Sequence, residues 1–297
     1  LYTITVLIWG STWLAIEHQL GVVEPEESVA YRYAAAALLL FAWCRYRGLS
    51  LGFGLKNHLY FVLLGLLLFC LNYIFAYRAQ VHITSALAAI AFSTMLWMNI
   101  ILSRIFFGTR VTFHVLAGAL LGIVGIVVLF APQIESIAVT DSMFFGSILA
   151  LGGALTASFG NMLSQSAQKR KLPVVETNTW GMFYGAILTS TVALASGHEF
   201  NFDATFTYIS SLAYLAIFGS VIAFGAYLTL LGRIGAHKAG YVTVMFPVVA
   251  VILSVAFEGM QLTGTIITGT ALVLLGNLLI LKKDACFPWG RRGLLGR

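Results

Sequence analysis

Apolar stretches of about twenty residues, each closed by a short polar break, run the length of the chain. They fall at approximately Leu1–Leu20, Ser28–Cys44, Leu59–Tyr77, Thr84–Ser103, Thr112–Ala131, Ser142–Gln168, Thr177–Ser196, Thr205–Gly232, Ala239–Phe257 and Gly259–Leu281. Several exceed the roughly 18 residues that mark a spanning helix. Helix is also the one open-chain element whose backbone polar groups are satisfied in lipid. The short alternating segments of a transmembrane barrel are absent. The pattern predicts an all-α membrane protein of ten transmembrane helices.

Composition narrows the class. Of 297 residues, 60% are hydrophobic and 9% charged, against roughly 25% charged in a soluble domain. A water-soluble globule is excluded, and ten spans leave little chain for an extramembrane domain, so function sits within the bilayer. The net charge of +6 does not indicate nucleic acid, because the basic residues are scattered through short loops with no interleaved aromatics. They report orientation instead. With the N-terminus inside, the inner loops and tail hold Arg45, Arg47, Lys56, Arg104, Arg110, Lys169, Arg170, Lys171, Arg233, Lys238, Lys282, Lys283, Arg291, Arg292 and Arg297, which are 15 of the 17 basic residues. The other face carries Glu24, Glu26, Glu27, Glu135, Asp141, Glu199 and Asp203. Lys and Arg are retained on the cytoplasmic side of short loops, so both termini are expected there.

The fifth and tenth spans reveal a repeat. Phe107-Gly108-Thr109-Arg110-Val111-Thr112 followed by Gly118 and Gly125 aligns with Glu258-Gly259-Met260-Gln261-Leu262-Thr263 followed by Gly269 and Gly276, an offset of 151 throughout. The same offset sets Thr84-Ser85 on Gly235-Ala236 and the fourth span on the ninth. Five spans per half is an odd number, so the halves must be inverted relative to each other. Inverted repeats are a mark of secondary transporters, whose solute site lies at the repeat interface near the bilayer midplane. The expected organisation is a first repeat over 1–131, a connection on the outer face over 132–141, a second repeat over 142–282, and a cytoplasmic tail or added remnant over 283–297. Leu1 is already apolar and no Met precedes it, so the first span is expected to lack its native start.

Several short motifs occur in a telling order: Trp9-Gly10-Ser11-Thr12-Trp13, Tyr31-Arg32-Tyr33, Phe246-Pro247-Val248, and Glu258-Gly259 followed by Gly269 and Gly276. With the duplication, they make the whole chain resemble the EamA-type ten-helix carriers of the drug/metabolite transporter superfamily, and most of all the YddG-type exporters. That resemblance implies the fold of two EamA repeats, a bacterial inner membrane location, and export of aromatic and other neutral amino acids such as methionine or threonine. Two positions depart from the family pattern. Phe107 stands where Glu258 stands in the second half, and Met182 or a neighbour replaces a second Arg32.

Candidate pathway residues are mostly aromatic. Trp9 and Trp13 lie one turn apart, as do Tyr73 and Tyr77, so each pair shares a helical face. Such faces suit a flat or apolar solute, with Trp97, Trp180, Tyr184, Tyr227 and Tyr241 as further contributors, although Trp and Tyr also anchor spans at membrane interfaces. Trp13, Tyr77 and Trp97 in particular are expected to line the cavity. Ser158, Asn161 and Gln165 form a polar stripe on the sixth span, which either lines the pathway or bonds a neighbouring helix. Asn72, Asn99 and Asn277 carry the same two readings. Arg32 sits within a span, where it either contacts a solute carboxylate or pairs with Glu17, Glu26 or Glu27. Arg78 and His82 read as snorkelling side chains. Gly118, Gly122 and Gly125 mark close packing, within the bundle or between protomers.

Absences decide the rest. The sequence has no Walker loop, no H-E-x-x-H and no G-x-S-x-G, so ATP hydrolysis and hydrolase chemistry are not indicated, and no cofactor or metal site is expected. Cys44, Cys70 and Cys286 have neither disulfide nor metal spacing. No carboxylate lies mid-span, which favours facilitated transport over obligatory proton coupling. The expected partners are a small-molecule amino acid and the lipid bilayer; a monomer is expected, with a dimer as the alternative. A multidrug or metabolite exporter of the same superfamily is the first rival function, and a scaffold or receptor without transport the second.

Overall fold

The computed structural model describes residues 1–83, 85–135, 141–197, 200–246, 248–249 and 263–281. These form ten helical spans. Helix α1 is Tyr2–Glu17, α2 is Pro25–Tyr46 and α3 is Leu55–His82; α4 runs in two segments, Ser85–Ser93 and Met95–Phe107, and α5 is Phe113–Glu135. In the second half α6 is Asp141–Lys169, α7 is Val174–Ala195 and α8 is Phe206–Ile234, α9 opens with Ala236–Ala239 and continues over 242–246, and α10 is Gly264–Leu281. Prolines and glycines set the boundaries. Pro25 occupies the first turn of α2, where its missing N–H costs nothing, and Gly108 ends α4 in the left-handed conformation at φ 62°.

Inversion is visible in which helices touch. Pairs α2–α7 and α5–α10 each join a helix to its repeat mate, while the contact of α1 with α8 is answered by that of their repeat mates, α6 with α3, both across the halves. Small residues permit the closest of these contacts. A Cβ on Gly118 would lie 2.6 Å from the Gly276 carbonyl oxygen, one on Gly276 would lie 2.6 Å from that of Gly118, and one on Gly125 would lie 2.8 Å from that of Gly269. The small-residue stripe therefore packs α5 against α10 inside the bundle. Large apolar side chains such as Leu38, Ile105, Phe113 and Leu278 face outward. Among the described residues three helices, α3, α6 and α8, are individually long and apolar enough to cross a bilayer.

One irregularity also repeats. Helix α3 is π-helical over Gly65–Leu71 and α8 over Leu215–Ile222, so the two stretches fall almost on each other at the offset of 151. In the first, Gly65 has no Cβ, and one there would meet the α7 backbone 2.7 Å from Gly181 O and 2.8 Å from Gly185 N. The second packs against α2, the repeat mate of α7.

The described basic residues outside Arg32 and Arg78 gather at the end where α2–α3, α4–α5, α6–α7 and α8–α9 connect. There Trp180 Nε1 donates to Leu51 O at 3.2 Å, Lys169 Nζ lies 4.0 Å over the Phe107 ring and the Arg170 guanidinium 4.7 Å over that of Tyr60. At the opposite end Tyr31 Oη donates to Asn201 O at 2.7 Å, and His82 Nδ1 lies 3.0 Å from Ser142 Oγ. The tail, Cys286 and the Glu258-Gly259 pair lie outside the described residues.

Candidate substrate pathway

A cavity of about 50 Å³ lies between the halves, walled by α1, α3 and α4 from the first and α6, α8 and α9 from the second. The lining pairs repeat mates: Tyr73 with Phe224, Ala76 with Tyr227 and Met95 with Phe246 each differ by 151. The first π-helical stretch contributes Leu68 to the lining and ends just before Asn72 and Tyr73, and the second ends shortly before Phe224.

Trp9 is the hub of the wall. It meets Phe224 edge-on at 4.9 Å, Tyr227 at 4.8 Å and Phe246 at 5.8 Å, and its Nε1 donates to the Gly219 carbonyl at 3.0 Å. Gly219 belongs to the π-helical stretch of α8, so the indole fixes that irregular turn against α1. Trp13 faces the same cavity and packs edge-on against Phe92 at 5.1 Å. Asn161 supplies the polar contact from α6: its Nδ2 donates to Tyr227 Oη at 3.0 Å and to Asn99 Oδ1 at 3.3 Å. The side-chain oxygens of Asn72 and Asn161, both residues of the lining, are buried and unbonded.

Other expected pathway residues lie elsewhere. Tyr77 is fully buried outside the lining, donating to Gln19 Oε1 at 2.7 Å, and Trp97 packs half-buried against the core, also outside it. Ser158 Oγ donates to Ala154 O one turn back, and Gln165 Oε1 accepts from Ala236 N at 3.1 Å at the start of α9. Of the polar stripe, then, only Asn161 reaches the cavity. Trp180 and Tyr184 form a separate cluster with His58 and Phe61 near the basic end, where Tyr184 Oη is 2.9 Å from His58 Nδ1. Tyr241 Oη donates to Val273 O at 2.9 Å and ties α9 to α10. Asn277 Oδ1 accepts from Tyr2 Oη at 2.8 Å.

The charged residues correct two expectations. Arg78 does not merely snorkel. Its Nε and Nη2 grip Glu26 at 2.8 and 2.7 Å, with Glu24 at 3.3 Å. Arg32 is then left without the expected acid, because Glu26 is engaged there and Glu27 Oε2 accepts from Asn201 N at 2.9 Å. Arg32 is fully buried, and its Nε donates to Ser220 Oγ at 2.9 Å.

Thr12, Phe92 and Phe224 were not anticipated in the lining. Thr12 lies within the Trp9-to-Trp13 motif and Phe224 three residues before Tyr227, so helical spacing from the named aromatics reaches both. Among the described residues, no group of three His, Cys, Asp or Glu side chains is arranged to hold a metal ion, and Cys44 and Cys70 are buried free thiols.

Residues 1–131 and 144–282 match the family model described as "EamA-like transporter family". The chain is 28% identical over 297 residues to the "Uncharacterized inner membrane transporter YedA" of Escherichia coli strain K12, covering 95% of this chain and 92% of that one. It is 24% identical to the "Uncharacterized transporter YoaV" of Bacillus subtilis, with 91% of each chain covered. "Protein PagO" of Salmonella typhimurium is 26% identical over 259 residues, 85% of this chain and 82% of that one. A crystal structure of 19% identity superposes with a TM-score of 0.78 over 94% of both chains, a likeness of fold.

Proposed function

Because the chain belongs to the EamA-like transporter family, we propose that it is a secondary carrier that moves amino acids, neutral and preferentially aromatic, out of the cell by alternating access. The observation that carries this reading is the cavity between the inverted halves, walled by aromatic rings and by the amides of Asn72 and Asn161. Aromatic walls give a flat apolar side chain the large contact area and ring geometry it needs, and a few placed polar groups fix orientation. A volume of about 50 Å³ admits only a few waters, each of which needs about 10–15 Å³. A solute therefore enters only when the halves rock apart, and each π-helical stretch, beside the lining, is a natural point for that movement.

Export and the inner-membrane location follow the resemblance to YddG-type exporters, and cytoplasmic termini follow the loop charges. The purified protein in liposomes should show counterflow of radiolabelled aromatic amino acids; no counterflow with any proteinogenic amino acid would overturn the reading. A carrier of cationic drugs is disfavoured by the lining, which holds no acid among the described residues. Glu17→Gln separates the two, since drug efflux through an acid would be lost while amino acid flux survives.

A further inference from the structure

Arg32 is an unbalanced charge. It is 0% exposed, and its Nη1 and Nη2 have no hydrogen-bond partner. No carboxylate among the described residues pairs with it. Glu27 is the nearest buried acid along its own helix, five residues or about 7.5 Å back. What compensates it is neutral and weak by comparison: the Ser220 hydroxyl at Nε, the nearby Tyr77 hydroxyl, and the faces of Tyr73 and Tyr33, 4.5 and 5.5 Å from the guanidinium carbon. A cation held this way inside a membrane bundle is costly, and such residues mark ligand pathways when they face one.

Two features connect it to the cavity. Tyr73 belongs to the lining and also lies against the guanidinium, so one ring touches both. Gly219 brings the guanidinium up to the lining: a Cβ there would lie 3.0 Å from Thr12 Cγ2, itself a lining residue, and 3.1 Å from Arg32 Nη2, so both close in on its bare backbone.

We infer that Arg32 is the receptor for the carboxylate of the transported solute, reached past Tyr73 and Gly219, so that the carrier selects carboxylates over amines of the same shape. The inference rests on the transport reading and deepens it. The planar guanidinium offers its two free nitrogens to the two oxygens of one carboxylate. The unbonded oxygens of Asn72 and Asn161 in the lining accept N–H donors from the remainder of the solute.

The test separates binding from flux. Purified full-length protein is titrated with L-phenylalanine, 3-phenylpropionate and L-phenylalaninamide, with thermostability as the readout, and the same three compounds compete for counterflow of L-phenylalanine in liposomes. The two carboxylates should stabilise and compete at least about tenfold better than the amide, the weight of a charge-assisted hydrogen bond. Arg32→Gln should abolish that preference and Arg32→Lys should restore part of it. If Arg32→Gln fails to fold, the wild-type preference among the three compounds still decides. Equal potency of the amide would overturn the carboxylate receptor while leaving transport intact. Carboxylate-selective stabilisation without counterflow of any amino acid would uphold the receptor and overturn the transport reading. No stabilisation by either carboxylate would overturn the receptor.

Discussion

Replacing Trp9 by Phe should separate what its ring does from what its N–H does. The ring contacts at 4.8 to 5.8 Å with Tyr227, Phe224 and Phe246 survive largely in a phenyl group, but the 3.0 Å bond to Gly219 O cannot. That carbonyl is then buried without its donor, at a cost of about 1–3 kcal/mol. Trp9→Ala removes the wall as well and should cost about 3–5 kcal/mol. Thermal unfolding of the purified protein should therefore rank wild type above Trp9→Phe above Trp9→Ala, and amino acid counterflow should persist in Trp9→Phe and fall sharply in Trp9→Ala. A Trp9→Phe protein as stable as wild type would refute the role given to the indole bond, and wild-type flux through Trp9→Ala would refute the role given to the wall.

Gly118→Val should prevent recovery of monodisperse protein, because its Cβ meets the Gly276 carbonyl at 2.6 Å, whereas Gly225→Ala has open space and should purify like wild type on gel filtration. Gln165→Leu should lower unfolding stability by about 1–3 kcal/mol through the lost bond to Ala236 N, while leaving solute affinity unchanged in a titration. Trp13→Ala should slow counterflow several-fold, and Trp180→Ala, remote from the cavity, should not. Glu26→Gln should weaken the contact between the start of α2 and the end of α3 less than Glu26→Ala in a thermal melt, since the amide still bonds Arg78.

Spans, duplication and glycine packing were legible because each leaves a one-dimensional trace: an apolar run, an offset, a spacing. Which face of a span meets the cavity was not. Helix α1 is apolar nearly all round, so its periodicity does not choose a side. The named aromatics accordingly divide, Trp9, Trp13, Tyr73 and Tyr227 at the cavity and Tyr77, Trp97, Trp180, Tyr184 and Tyr241 away from it. Polar residues divide by partner for the same reason. Gln165 and Asn161 lie one turn apart, yet one bonds the start of α9 and the other reaches the cavity. The pairing of Arg78 with Glu26 joins two helices, and no spacing within either one announces it.

The two π-helical stretches have a consequence for how such a chain tolerates change. A π turn holds one residue more than the α turn it replaces, so deleting one residue from Gly65–Leu71 would close it into an α turn and leave Asn72 and Tyr73 facing the cavity. The same holds for Leu215–Ile222 with Phe224 and Tyr227. A deletion in the regular helix beyond either stretch would instead turn every later residue by about 100°. The wide turns thus act as slack, the places where each half can lose a residue and keep its wall.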